Sequence, residues 1–355
     1  MATQPSTNLT FLDWGKQVDP DGETAILTNL LSQRNDFERD SVYKEGNLPT
    51  GHRVTQVTSL ADSSLRAFNE GISDTKSTTA QFDEGCAIIE QKATIDRDLA
   101  LLNGNTAKFR MSQANLAMES MMQTRVKLAL YGDTSVLPKG IDGFKVRMNS
   151  KTAANGANLI DGGAAALQPD VTSIYLIGWG DETIYNIFPK GSKAGLDRED
   201  HGVQIVYKSD GTSYRGYIDW YQWKVGLAVQ DWRYMVRIHS IDVSVLAGLT
   251  GVMAPTAFTN LLHLMAQAEA RIENHSMCRP VFYMNRTVFS GLQRLAMEKS
   301  SGVLRINEGL NQFGMKDQWM EFMGIPIRRM DAIPNGTTVA TTGPLSVLVG
   351  EENLN

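Results

Sequence analysis

The chain has 355 residues, of which 42% are hydrophobic and 21% charged, and carries a formal net charge of -5. That length allows two or three packed units, while a mildly acidic chain with scattered basic residues is a poor candidate for tight binding to nucleic-acid phosphates. No stretch approaches the ~18 consecutive apolar residues of a membrane span, and residues 1–6 lack a basic region leading into an apolar run, so neither a membrane partner nor an export signal is expected.

The first fifty residues are polar and read as an arm, with one short amphipathic helix over 23–33 that is too short to be stable alone. Turn-forming residues flank it at 19–22 and 46–51. Val54 and Val57 alternate with polar neighbours over 53–58, and further strand-like pieces lie between 77 and 95. The stretch between them, 61–79, is strongly polar. Two strands joined by a long polar tip cannot bury a core of their own, which predicts that another chain supplies their packing surface.

From 101 to 131 the period becomes helical. Met111, Ala114, Met118, Met121, Met122 and Val126 recur at steps of three and four, predicting one buried face of a long helix that stops at Gly132, a suitable C-cap. Methionine at that spacing is read as core filling rather than as a peptide groove. Strands are predicted at 173–177, 183–188, 203–207, 214–224 and 232–241. After a composition shift at 248–255 come a helix carrying Phe258, Leu261, Leu262, Met265, Ala268 and Ile272, and a buried strand at 280–284. A second helix carrying Val288, Leu292 and Leu295 follows, and then a strand over 322–333 centred on Gly324. Helices alternating with apolar strands predict a compact α/β unit at this end.

Searching for chemistry returns little. Cys86 and Cys278 lie far apart without CxxC spacing and read as small buried hydrophobes. The histidines at 52, 201, 239, 263 and 275 share no metal-ligand spacing. Asp96 and Asp98 flank Arg97, a pattern of surface ion pairs rather than of paired catalytic acids, and Asp19, Asp21 and Glu23 form a turn rather than a calcium loop. No nucleophile elbow, phosphate loop or dinucleotide fingerprint is present, and the Gly191 to Gly195 stretch lacks the helix start that a phosphate cradle uses. No catalytic, cofactor-binding or metal-binding residue is assigned. The aromatic group Tyr214, Tyr217, Trp220, Tyr221 and Trp223 could stack on sugars, which makes a glycan- or receptor-binding tail component the alternative function. A sheet core with some exposed aromatics accounts for the same residues.

The order arm, hairpin, long helix, sheet and α/β unit resembles the major capsid proteins of tailed double-stranded DNA bacteriophages, with the Hong Kong 97-type fold. The extended-loop region, with Gly46-Asn47-Leu48-Pro49-Thr50-Gly51-His52, Arg66-Ala67-Phe68-Asn69-Glu70-Gly71-Ile72 and Lys76-Ser77-Thr78-Thr79, is similar to that of epsilon fifteen-like short-tailed phages. So are Tyr131-Gly132-Asp133-Thr134, Phe188-Pro189-Lys190-Gly191, Gly226-Leu227-Ala228-Val229, Tyr283-Met284-Asn285-Arg286-Thr287 and Gly324-Ile325-Pro326-Ile327-Arg328-Arg329. The resemblance implies an α+β fold with an N-terminal arm (1–47), an extended loop (48–100), a peripheral domain with a spine helix and strand-rich region (101–250) and an axial domain (251–355). The strand-rich stretch stands ahead of the helix-strand-helix unit, unlike the archetype, which implies a permuted strand order.

By the same resemblance the function is structural: pentamers and hexamers of the chain form an icosahedral shell around double-stranded DNA, without sequence-specific binding. The implied location is the virion capsid, assembled in the bacterial host cytoplasm. Implied partners are a separate scaffolding protein, because a long charged N-terminal segment is missing, a portal protein and, where such shells carry one, a decoration protein. Arg53, Arg66, Asn69 and Lys76 are the candidates for contact between subunits.

Overall fold

The computed structural model describes residues 35–104, 106–164, 169–208, 211–244, 255–297, 304–310, 316–336, 345 and 347–351. The helix expected at 23–33 lies outside them. Two compact units are distinguished.

The first comprises, among the described residues, Ile88–Arg125 and Lys193–Lys224. It holds the second half of β3 (Thr78–Asp96), the short helix α2 (Arg97–Leu101) and most of α3 (Thr106–Tyr131). It also holds the hairpin of β7 (Leu196–Tyr207) and β8 (Ser213–Val229), paired antiparallel from Leu196 opposite Trp223 to Tyr207 opposite Ser213. Ile95, Ala100 and Phe109 form a small buried cluster against which Tyr217 packs. Asp96 is the N-cap of α2, its carboxylate accepting from the Asp98 N–H at 2.9 Å, so this pair of acids closes a helix end. The strand expected at 203–207 begins earlier, at Leu196, with a register shift between Asp200 and Val203.

The second unit comprises the described residues within 34–87, 126–192 and 225–355. Its centre is β5 (Val171–Trp179), whose nine residues are all buried. Apolar and β-branched residues run through this strand without alternation, as in a strand covered on both faces. It pairs antiparallel with β10 (Arg279–Met284) on one side and β9 (Met235–Asp242) on the other, and β4 (Leu159–Asp161) extends the sheet beyond β9 in parallel. Beyond β10 come β13 (Ile325–Arg329) in parallel, then β12 (Lys316–Phe322) and β11 (Leu304–Leu310) antiparallel. Strands from both sides of residue 250 thus share one sheet. Helix α5 (Pro255–Glu269) contacts β9, and α6 (Arg286–Met297) contacts β11 and β13. Val288, Leu292 and Leu295 form the buried stripe of α6 as their spacing predicts, and Asn285 caps it by accepting from the Thr287 N–H at 2.8 Å.

A smaller set of strands in this unit joins β6 (Ile184–Phe188) to β1 (Tyr43–Glu45) in parallel and to the end of β8 antiparallel. The short helix α1 (Phe37–Asp40) is anchored by Phe37, fully buried among Phe144, Trp179 and Tyr283 with edge-to-face ring contacts to the first two. The hairpin of β2 (Gly51–Ser59) and β3 begins where Gly51 meets the Glu84 backbone so closely that any side chain at 51 would strike it.

Four expectations are corrected. Met111 is 66% exposed and Met118 and Met122 are only partly buried, whereas Ala114, Met121 and Val126 of the expected face are buried, joined by Phe109, Ala117, Arg125 and Leu128. Gly132 does follow the helix, but not with the positive φ of a left-handed cap; a side chain there would strike the Ile141 and Leu128 carbonyl oxygens. Residues 322–333 are not one strand: β12 turns into β13 at Met323 and Gly324, with φ of 51° and 85°, the two left-handed positions of a tight hairpin. Strand β11 was not foreseen; its alternation is confined to the four residues from Leu304 to Asn307.

Methionine is a poor occupant of the first left-handed position, where a Cβ costs about 1–2 kcal/mol. Met323 is exposed and its side chain contributes little packing. Met323→Asn is expected to raise the stability of the unassembled subunit by about 1 kcal/mol, read as an upward shift of the thermal midpoint.

Candidate functional site

The β2–β3 hairpin carries the four contact candidates. Arg53, on β2, is held across the hairpin by Asp83 in a bidentate pair at 2.6 and 2.7 Å. This pairing keeps the exposed Asp83 carboxyl below its usual value, mainly through the hydrogen bond from Arg53. Arg66, Asn69 and Lys76 lie in residues 60–77, which contain neither helix nor strand and are exposed throughout. Asn69 sits at φ 67°, in a turn with Phe68, a conformation that asparagine tolerates. The stretch is closed by its own polar groups: Ala61 N–H donates to Ser77 Oγ at 3.1 Å, Thr75 Oγ1 to the Asp62 carbonyl at 3.0 Å, and Ala67 N–H to Glu70 Oε2 at 3.0 Å.

Its apolar side chains are left uncovered. Leu65 and Phe68 are essentially as exposed as in an extended chain, at 103% and 99%, and Leu60 and Ile72 are also open. Reading 61–79 as simply polar misses these residues, which have no periodicity to announce them; the usable signal is large hydrophobic residues inside a segment too polar to form a core. At the base of the hairpin, Glu84 accepts from Arg147 at 2.6 Å through both oxygens, tying β3 to α4 (Phe144–Arg147), and Gln56 donates to the Gln230 carbonyl at 2.8 Å. The root is fixed by charged and polar bonds, whereas the tip presents unburied apolar groups.

In the first unit, the buried Asp219 accepts from Arg110 at 2.9 Å and Arg198 at 2.8 Å, and Arg110 also pairs with Asp200 at 2.8 Å. Burial works against the charge of Arg110, but its two carboxylate partners more than compensate and raise its pKa. Arg110 lies over the Tyr217 ring at 4.8 Å. The aromatic group is therefore divided by the strand's alternation: Tyr221 and Trp223 are buried, Tyr217 packs in the cluster under Arg110, and Trp220 is open at its edge. No shared stacking platform results.

The most charged part of the second unit's interior is the Glu351 carboxylate, which is fully buried. It accepts from Tyr131 OH at 2.6 Å, Tyr175 OH at 2.8 Å, Ser173 Oγ at 2.5 Å and Arg237 Nη2 at 2.7 Å. Arg237 has no exposed surface and also donates to the Met148 carbonyl at 2.9 Å. Burial pushes the Glu351 carboxyl up, but Arg237 and the three hydroxyl donors pull it down further, below its ordinary 4.5. Burial above all keeps both tyrosines protonated. Beside this network, burial and then repulsion by Arg237 lower His239 to about 4. Its Nδ1 meets Ser240 Oγ at 2.8 Å, and its Nε2 has no partner among the described residues.

This cluster is a structural device, since the polar atoms of Glu351, Arg237, Ser173 and the two tyrosines are turned on one another. Among the described residues no group of three His, Cys, Asp or Glu side chains could hold a metal ion, and no helix is long and apolar enough to cross a membrane. Cys86 and Cys278 are thiols rather than halves of a disulfide; Cys278 is buried, and burial pushes its pKa up to about 11.

The uncovered loop thus stands on a tied root, in the same unit as a sheet layered with helices. The structure superposes on that of the bacteriophage Epsilon15 determined by electron cryomicroscopy, with a TM-score of 0.73 and 25% identity over 96% of this chain and 100% of that one. The bacteriophage JBD30 capsid is also similar, with a TM-score of 0.43 and 10% identity over 85% of this chain and 92% of that one. No curated protein matches. The fold is the Hong Kong 97-type α+β fold of phage shells. The family model for major capsid protein GP7 matches residues 19–339, and the chain belongs to that family of shell-forming proteins.

Two outcomes test the buried network in the unassembled subunit. Glu351→Ala leaves Arg237 buried and unpaired, and is expected to cost about 3–5 kcal/mol in chemical denaturation. His239 takes up a proton only in the unfolded chain between pH 6.5 and about 4, so stability falls as pH drops through that window, by up to about 3 kcal/mol. His239→Gln is expected to flatten that part of the stability profile, whereas the loss through Glu351 remains, beginning below about 4.5, where the unfolded carboxylate starts to protonate.

Proposed function

We propose that this chain is the wall subunit of an icosahedral phage head that encloses double-stranded DNA, built from pentamers and hexamers of itself. The observation that carries this reading is the loop at 60–77, whose Leu65 and Phe68 are uncovered while its backbone is held by its own polar bonds. A segment of that kind completes its burial on another copy, where each large side chain contributes about 1.5–3 kcal/mol. Arg53, Arg66, Asn69 and Lys76 then form the polar rim of the contact around the apolar centre. Many repeated contacts of modest strength make shell growth cooperative in concentration.

Catalysis is not part of this reading, because the polar clusters in both units are internally bonded. DNA is enclosed rather than gripped, in keeping with the net charge of -5. A separate scaffolding protein, a portal protein and, in some heads, a decoration protein are the partners such a wall uses, and assembly takes place in the host cytoplasm before the wall becomes part of the virion. The proposed division is an arm (1–47), an extended loop (48–100), a peripheral part with the spine helix, and an axial part containing α5, β10 and α6. The β5–β9 pair shares the sheet of the axial strands.

Electron microscopy tests the proposal. Replacing Leu65, Phe68 and Ile72 together with serine is expected to leave the thermal midpoint of the unassembled subunit unchanged and to abolish closed shells. Normal shells from that variant would refute the loop contact, and discrete small oligomers from the unaltered chain would refute the wall itself.

A further inference from the structure

The second unit contains a groove of about 320 Å³ where α1, α6 and strands β11 to β13 meet. Four arginines, Arg39, Arg286, Arg328 and Arg329, surround it. Two are already compensated: Arg328 donates to Asp40 at 3.1 and 3.2 Å, and Arg329 to Asp331 at 2.7 Å. Arg39 and Arg286 are exposed and form no ion pair among the described residues. Between them lies an apolar floor that includes Phe289 and Ile327, with Trp319 standing at its side and its indole N–H fixed by Glu321 at 2.7 Å. Uncompensated guanidiniums around an aromatic floor are suited to carboxylates presented by a protein surface, because the guanidinium fork grips a carboxylate through two bonds and Trp and Arg dominate contact energies.

The first unit offers the complementary surface. Asp197 and Glu199 lie opposite Gln222 and Trp220 in the β7–β8 register, and with Glu90 they line one concave patch. None of the three acids has a lysine or arginine partner among the described residues; Glu90 accepts from Gln222, and Glu199 has only His201 at 3.5 Å. Like charges along one strand face repel one another unless a cation covers them.

We propose that the acidic β7 face of one copy docks in the arginine groove of another, with Glu199 and Asp197 taking the free guanidiniums of Arg286 and Arg39. This rests on the shell reading and names one of its contacts. Two different patches joined head to tail form a heterologous interface, which repeats around a ring instead of stopping at a pair. Because the joint is electrostatic at its rim, it gives register and loosens with salt.

The test is a charge swap in the full chain, with shell formation followed by sedimentation and electron microscopy. The unaltered chain assayed alongside tests the wall reading independently. Arg286→Glu and Glu199→Arg are each expected to raise the assembly threshold about tenfold, and the double variant to recover most of that loss. Arg39→Glu, alone and combined with Glu199→Arg, repeats the cycle from a different helix, and thermal midpoints of the unassembled subunits confirm folding. Single variants that assemble like the unaltered chain, or doubles no better than the worse single, overturn the pairing. Arg286→Glu shells that form at the ordinary threshold but retain less DNA also overturn it, by assigning the groove to nucleic acid.

Discussion

The second unit is organised around one carboxylate. Glu351 accepts from a tyrosine at the end of α3, a tyrosine and a serine on β5, and an arginine on β9, so a single side chain joins three elements distant in sequence. An isolated charge at that depth would be strongly unfavourable. Here each oxygen has two donors and each donor has a fixed place, so the network holds one arrangement of helix and sheet against alternatives. The surrounding strands are apolar; Glu351 and Arg237 add bonds between β5, β9 and α3 that have only one geometry. His239 remains neutral beside this pair because burial first, and then the charge of Arg237, oppose a second cation there.

The surface follows a different logic. Around the hairpin root, charges are matched within the chain: Arg53 with Asp83 and Arg147 with Glu84. In the first unit, Asp219 is matched by Arg110 and Arg198. Elsewhere the chain leaves groups unmatched, apolar ones at Leu65 and Phe68 and charged ones in the arginine groove and on the β7 face. A protein that worked alone would gain from covering or neutralising them. A protein that assembles with copies of itself has a use for incomplete surfaces, with matched pairs giving each copy its shape and unmatched groups giving it neighbours.

Much of the fold was legible where a local pattern determines it. The α6 stripe of Val288, Leu292 and Leu295 and the strand at 173–177 follow from residues adjacent in sequence or one turn apart. The ordered motifs along the chain also pointed to the capsid family. Misreadings arose where tertiary neighbours override local pattern. Alanine at 117 and arginine at 125 hide the buried side of α3, while methionine at 111 advertises a false one. Met323 disguises a hairpin turn usually marked by Asn or Gly. The Glu351 network had no local signal at all, since Arg237 lies 114 residues upstream. The loop hydrophobics were masked by the polar residues around them.

The order of these groups along the chain has a consequence for synthesis. β5 and β9 leave the ribosome long before the residue that neutralises Arg237, 114 positions further on, so the nascent second unit holds a bare guanidinium where its core should close. Packing around Arg237 waits until Glu351 has been translated, and a polypeptide cut between the two would keep that guanidinium without its counter-ion.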